Sequence, residues 1–342
     1  TLALTAWKYP NAGFCRVFPE LNVACSGLSI SAKKEEWLAL AGDNTNLRLA
    51  LDELYKQFKD APVLGSLINP EASLGKGSLF ELKWEEVGPL LTSALAGERD
   101  IEKTEIGVIA SGLAKAAFLL QDKYAWIMTN VPYLVRGKQV ESLQKYCEKH
   151  HPEAKRDLAT VFLDRCLSFC KPYGSVSAVL PQNWLFLSSY KSFREKLLHK
   201  DALRMVARIG EGGFDSSAAA GAFTALLIAR LGAGAFDTIS GEIVKAVCLN
   251  LTRNTKNEAN ISGVDVSEYR DISDKSEHLR IDIVNKASVS ALVQDPDFRI
   301  TFLEQQDGEQ IYDFAECYQG VVTGDIERFT KKYWEVLLSS SW

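Results

Sequence analysis

The chain has 342 residues, 46% hydrophobic and 24% charged, with a net charge of −5. That length holds one large or two ordinary domains around a sizeable core. The negative balance excludes a protein that draws nucleic acid through its overall field, so any such contact must come from local basic patches.

Residues 1–34 mix turn signals (Pro10, Asn11, Gly13, Pro19, Gly27) with short apolar pieces, which predicts loops and one or two short strands. From Ala32 to Lys59 apolar residues recur at spacings of three and four, and Gly42-Asp43-Asn44 divides that run into two helices. Asp60-Ala61-Pro62 ends the second, and Leu64–Leu82 reads as loop. Gly75-Lys76-Gly77-Ser78 only superficially suggests a phosphate loop, because Pro70 stands where the first glycine belongs and no apolar strand precedes it. Val87–Gly97 and Thr104–Leu120 return to helix.

Tyr124–Lys138, YAWIMTNVPYLVRGK, is the stretch around which the rest is organised. Its apolar start predicts a strand buried on both faces of a parallel sheet. Its polar end predicts a loop just past the carboxyl edge, where open α/β sheets bind ligands. Asn130 offers a side-chain oxygen, Val131 a main-chain carbonyl, and Tyr133 a flat ring. Together they suit an exocyclic amino group held by two acceptors, with its heterocycle stacked on the phenol.

Lys145–Lys155 is charged, loop or helix. Asp157–Lys171 predicts an amphipathic helix with Asp157 in a capping position. Pro172-Tyr173-Gly174 closes it, and Ser175–Leu180 predicts a second buried strand. Tyr190–His199 reads as helix, Leu203–Ile209 as strand and Ala222–Leu231 as strand. The last two are close enough to be antiparallel neighbours, whereas the earlier steps leave room for right-handed helical crossovers.

The seven cysteines lack close-paired spacing and read as reduced thiols of a cytoplasmic protein. Cys166 and Cys170 look like core thiols, and Trp7, Trp37, Trp84 and Trp184 like core side chains. Cys147, His150 and His151 have no second ligand pair, so no metal site is expected. The opening TLALTAWKYP shows no signal-peptide pattern, no apolar run suits a bilayer, and the abrupt start at Thr1 suggests a piece of something longer.

Asn130-Val131-Pro132-Tyr133 resembles motif IV, Asn/Asp-Pro-Pro-Tyr/Phe, of the N6-adenine DNA methyltransferases of bacterial restriction–modification and phage-defence systems. Residues 157–186 are similar to that family's next helix and strand, with Asp-Leu opening the helix and Lys-Pro-x-Gly ending it. Residues 208–230 resemble the segment around motif VIII, and Val322–Phe329, VTGDIERF, resembles the element that opens the target-recognition region. Residues 240–315 carry no motif that can be placed.

The resemblance implies an α/β fold: part of a class I, Rossmann-like methyltransferase sheet ending in an antiparallel strand pair. A helical N-terminal segment and the start of a target-recognition region would flank it. Residues 1–104 would be the helical flank, 105–235 the second half of the methyltransferase core, and 236–342 the linker and recognition region. It implies S-adenosylmethionine as methyl donor, although no Gly-rich cofactor turn is found; Gly210-Glu211-Gly212-Gly213 has the wrong spacing and follows the wrong strand. That motif is expected upstream of Thr1. Asn130 and Val131 would orient the target amine, Pro132 fix the loop and Tyr133 stack a flipped adenine of double-stranded DNA.

Val131 replaces the first proline, so the ring's lock on φ is lost and a looser loop is expected. Asp157 stands equally for a helix cap or a cofactor-pocket acid. Arg136, Lys138, Thr323, Asp325 and Arg328 are candidate nucleic-acid contacts, although solvated loop charges or a plain amphipathic helix account for such residues too. Partners would be DNA and other subunits of a defence complex, with no membrane. Two alternatives stay open: a non-catalytic DNA-binding or assembly subunit, and a methyltransferase for a protein or RNA amide or amine.

Overall fold

A computed structural model of the chain describes residues 22–70, 89–91, 100–200, 202–214, 222–230, 260–282 and 284–302. All lie in the first of two compact units, Thr1–Phe302; the second is Leu303–Trp342. The predicted break in the first helical run is present: α1 is Lys34–Ala39 and α2 is Thr45–Phe58. Between them Gly42 takes φ 51, and the Asn44 side chain accepts from the Leu47 N–H at 3.0 Å, capping α2. Leu47, Leu51, Leu54 and Phe58 then fall on one buried face with Trp37.

Pro62 does not simply end α2. It sits in the first turn of a new short helix, α3, Ala61–Leu64, where its missing N–H costs nothing. Helical turns continue through Leu67, where the sequence suggested loop. α4, Ile101–Gln121, is capped by Asp100 through the Glu102 N–H at 3.0 Å. The expected helix at Val87–Gly97 falls mostly outside the described residues. No helix among the described residues is long and apolar enough to cross a membrane.

The sheet has six strands: β1 (Tyr124–Asn130), β2 (Cys170–Pro181), β3 (Leu203–Gly210), β4 (Thr224–Arg230), β5 (Asn260–Asp265) and β6 (Asn285–Ser288). Their order is β1-β2-β4-β3-β5-β6. β1 and β2 are parallel, and β4 lies antiparallel between β2 and β3. The expected antiparallel pair is therefore β3–β4. The sheet runs on through β5, parallel to β3, and β6, antiparallel to β5, in the stretch where no motif was placed. Between the strands stand α5 (Glu141–His150), α6 (Leu158–Phe169), α7 (Lys191–His199) and α8 (Ile272–Ile281).

Two expectations are corrected here. β1 is not buried on both faces. It is an edge strand, paired only to β2 among the described residues, and Trp126 and Met128 are 64% and 72% exposed. An apolar run is compatible with either environment, because composition does not count the neighbours. The helix expected through Lys171, with Pro172-Tyr173-Gly174 closing it, ends instead at Phe169, before residues 170–174. They begin β2, where Tyr173 takes φ 65 and the register with β1 shifts between Tyr124 and Trp126. A Cβ on Gly174 would lie 2.9 Å from the Tyr124 carbonyl, so the Pro-Tyr-Gly signal marks a bulge with close strand approach.

Three buried cations tie the surrounding segments together by donating to carbonyls. Arg194, 0% exposed, donates to Trp184, Leu187, Asp297 and Phe298 at 2.7–3.0 Å; burial pushes its guanidinium down to about 10. Arg165 joins α6 to Ile68 and Leu120 at 2.8 and 3.1 Å. Lys275 of α8 reaches Ile209 and Val266 at 2.7 and 3.1 Å, which seats α8 over β3 and β5 with Leu279 against Ala207 and Val264.

Candidate active site at the tip of the first strand

Asn130 ends β1 opposite Val179 of its parallel neighbour, so the loop that follows lies at the carboxyl edge, as the sequence predicts. Asn130 is exposed, and among the described residues its amide has no hydrogen-bond partner. Val131 is 4% exposed and packs in the main core. Packing thus restrains the position where the missing proline ring suggested slack. Pro132 is exposed, and Tyr133 is 36% exposed, leaving ring surface open beside Asn130. Burial and the neighbouring Asp157 charge raise the Tyr133 phenol above its usual range.

The loop is then stitched to the start of α6. Asp157 Oδ1 accepts from Ala159 N–H at 2.8 Å, capping α6, and from Leu134 N–H at 3.4 Å. The Leu134 carbonyl accepts from Leu158 N–H at 3.0 Å and from Gln139 Nε2 at 2.9 Å. Val135 bridges to Asp157, and Arg136 N–H donates to the Arg156 carbonyl at 3.0 Å. Asp157 is 6% exposed. Burial pushes its carboxyl up, only partly opposed by the Ala159 and Leu134 N–H groups.

Sequence reasoning did not find Leu134, Gln139 or Tyr190. Leu134 acts through main-chain atoms that leave no residue-type signal, and Gln139 through a side-chain amide donated to the Leu134 carbonyl, a partner that its sequence neighbours do not announce. Tyr190 is 8% exposed, with its phenol pushed up to about 12 by burial and by Asp157.

The candidate nucleic-acid residues separate. Arg136 Nη2 pairs with Glu148 Oε1 at 2.7 Å, whereas Lys138 is exposed and makes no ion pair among the described residues. Thr323, Asp325 and Arg328 lie outside the described residues. Cys147 and Cys166 are buried and pushed up to about 11 and about 12 by that burial, which makes them protonated core thiols at neutral pH. Trp37 and Trp184 are core side chains. No group of three possible metal ligands occurs among the described residues.

The described residues do not fit a cradle for S-adenosylmethionine. The glycine-rich turn that follows β3 is filled by the chain itself. A Cβ on Gly210 would lie 2.7 Å from Ser267 Cβ, and one on Gly212 would lie 2.9 Å from the Arg270 carbonyl. Both glycines take φ 73 and are committed to a tight turn and close chain approach.

A parallel strand pair and an antiparallel strand inserted before the next parallel one form part of a Rossmann-like methyltransferase sheet. The chain belongs to the Eco57I restriction-modification methylase family, whose model matches residues 43–214, half of the chain. The adenine-specific methyltransferase PglX of Lacticaseibacillus casei (strain Zhang) is 29% identical over 166 residues, covering 48% of this chain and 13% of that protein. The adenine-specific methyltransferase BrxX of Escherichia coli O9:H4 (strain HS) is 29% identical over 143 residues, covering 40% and 12%. The matches thus span about an eighth of the length of these relatives.

Among solved structures, the Type ISP restriction-modification enzyme LlaGI, in complex with a DNA substrate mimic, aligns with TM-score 0.39 and 11% identity over 63% of this chain and 23% of its own. A DrdV–DNA complex aligns with TM-score 0.40 and 12% identity over 69% and 25%. At those scores the family match and the strand order carry the assignment.

Proposed function

We propose that this chain supplies the base-holding part of an S-adenosylmethionine-dependent adenine-N6 DNA methylase of restriction–modification or phage defence, working in the cytoplasm. The observation that carries this reading is Asn130: an amide without a partner among the described residues, exposed at the carboxyl edge of β1, beside the open ring of Tyr133. The adenine amine is a poor nucleophile because its lone pair is delocalised. Accepting its two N–H bonds, one at Asn130 Oδ1 and one at the Val131 carbonyl, localises that pair, and preorganised acceptors stabilise the positive charge that develops. The base must leave the duplex to reach them, and the Tyr133 ring holds it by stacking. Pro132 keeps Val131 extended.

Bound S-adenosylmethionine would supply the electrophilic methyl group. Its cradle belongs to parts of the enzyme outside the described residues. Asp157 serves the loop as cap and brace rather than the cofactor. Lys138 and Arg136 would meet the DNA backbone, while Thr323, Asp325 and Arg328 are separate candidates for DNA contact.

The test is methyl transfer to duplex DNA by the methylase that contains this chain. Asn130→Ala should lower kcat by about 100-fold or more, and Tyr133→Ala should weaken capture of an extrahelical adenine. Undiminished transfer by Asn130→Ala removes this loop from the chemistry. The lack of a donor cradle among the described residues favours a second reading, a non-catalytic DNA-binding or assembly subunit. That reading predicts duplex binding with no transfer from either protein.

A further inference from the structure

A second site lies apart from the loop, among α5, α6 and α7. It is a cavity of about 440 Å3, within the range that holds small organic ligands. Tyr146 and His150 form one wall, with ring centroids 4.5 Å apart and planes tilted by 32°. Leu167 and Leu197 add apolar surface. The lining carries three fixed cations, Arg165, Lys196 and Lys200, against one carboxylate, Asp164.

That carboxylate is already committed. Its Oδ2 meets His151 Nδ1 at 2.8 Å and its Oδ1 meets Lys196 Nζ at 2.9 Å. Lys196 also reaches Glu153 at 3.1 Å; burial would lower its pKa, but the two acids outweigh that and hold it protonated. Burial, with Lys149 and His151 nearby, lowers His150, which favours a neutral imidazole that can pack flat against a heterocycle. With Glu153 counted, three cations stand against two carboxylates, and the one positive charge left over beside a ring wall, in a chain of net charge −5, suits an anion attached to a flat ring.

We propose that this cavity binds a free nucleotide, with the phosphate toward Lys196 and Lys200 and the base against Tyr146 and His150. Ser168 also lines the cavity, its hydroxyl donating to the Arg165 carbonyl and accepting from Arg165 Nη1. The site is separate from the base-holding loop: Asp164 and Ser168 follow Asp157 by seven and eleven residues along α6, or about 10 and 16 Å at the helical rise. The semi-enclosed shape suits a small molecule rather than a strand of nucleic acid.

Calorimetric titration of the chain with AMP tests the proposal, with adenosine and inorganic phosphate as separate arms. AMP should bind saturably and more tightly than either. Lys200→Glu, an exposed position, and His150→Ala should each weaken AMP at least tenfold, with thermal unfolding showing both variants folded. Asn130→Ala should bind AMP as the parent does, which separates this site from the methylase reading. Absence of saturable binding overturns the proposal. So does AMP affinity unchanged in both cavity variants, or AMP binding lost only in Asn130→Ala. Tighter binding of a short single-stranded oligonucleotide that depends on Lys200 overturns it as well.

Discussion

β1 and β2 lie side by side, in unbroken register from Trp126 to Asn130, yet they live in different surroundings. On β2, Val176, Ala178 and Leu180 are at most 4% exposed, flanked by β1 on one side and β4 on the other. On β1, Trp126 and Met128 stand in solvent, and the Trp126 indole N–H donates to Ser177 Oγ at 3.1 Å. The centre of the sheet holds the fold, while the loop that carries the proposed chemistry hangs from its edge. Among the described residues, stitches to the start of α6, rather than a second neighbouring strand, fix that loop. Stability and function therefore draw on different contacts, and substitutions should separate them.

The largest effect belongs to the centre. Arg194→Met leaves the carbonyls of Trp184, Leu187, Asp297 and Phe298 without their shared donor. Urea unfolding should show a loss of about 3 kcal/mol or more. A loss below about 1 kcal/mol would mean that the clamp does not hold the segment near 297 to α7 and the turns after β2.

The brace on the loop comes next. Asp157→Ala removes the α6 cap and the Leu134 contact together, and about 1–2 kcal/mol should go with them. Asp157→Asn keeps a side-chain oxygen as acceptor and should restore most of that loss. Amide exchange at Leu134 should quicken in the alanine variant and not in the asparagine one. Equal damage in both variants would show that the charge matters, as a cofactor contact requires.

Acid titration separates the regions again. Burial would raise Asp164, but the His151 and Lys196 contacts outweigh it and hold the carboxyl below the ordinary value of 3.8. A depressed folded-state value means stability fully present above the ordinary aspartate range and lost as pH falls through the folded value. Asp52, pulled down by Lys34 and Lys56, contributes with the same sign. Asp164→Asn should therefore flatten part of the fall in unfolding free energy below about pH 4. An unchanged slope would show that the network is not coupled to folding.

The readable parts of this molecule were those with a local cause. Glycine and asparagine at 42–44 announced the break between α1 and α2, and spacing announced α6 and α7. Short separation announced the β3–β4 pair. Asn130 and Tyr133 stood out because their chemistry is unusual at the end of an apolar run. Long-range facts were hidden. β5, NISGVD, is a strand because β3 pairs with it, not because its residues alternate. Leu134 acts through main-chain atoms, and Gln139 through an amide whose partner is the Leu134 carbonyl. The exposure of Trp126 depends on how many strands flank β1, which no window of residues records.

The smallest expected effect on stability tests that last point. Trp126 and Met128 stand two residues apart and so share one face of β1, where both are mostly exposed. Replacing both by serine removes apolar surface that folding does not bury, so unfolding free energy should change by no more than about 0.5 kcal/mol per substitution. Losing the Trp126 bond to Ser177 adds little, because the bond is solvent-exposed and the Ser177 hydroxyl left behind finds water instead. Binding of a fluorescent apolar dye, and self-association at high concentration, should both fall, since large exposed apolar patches drive both. A loss of several kcal/mol would contradict the edge position of β1 and make it a strand buried on both faces, as its composition alone suggests.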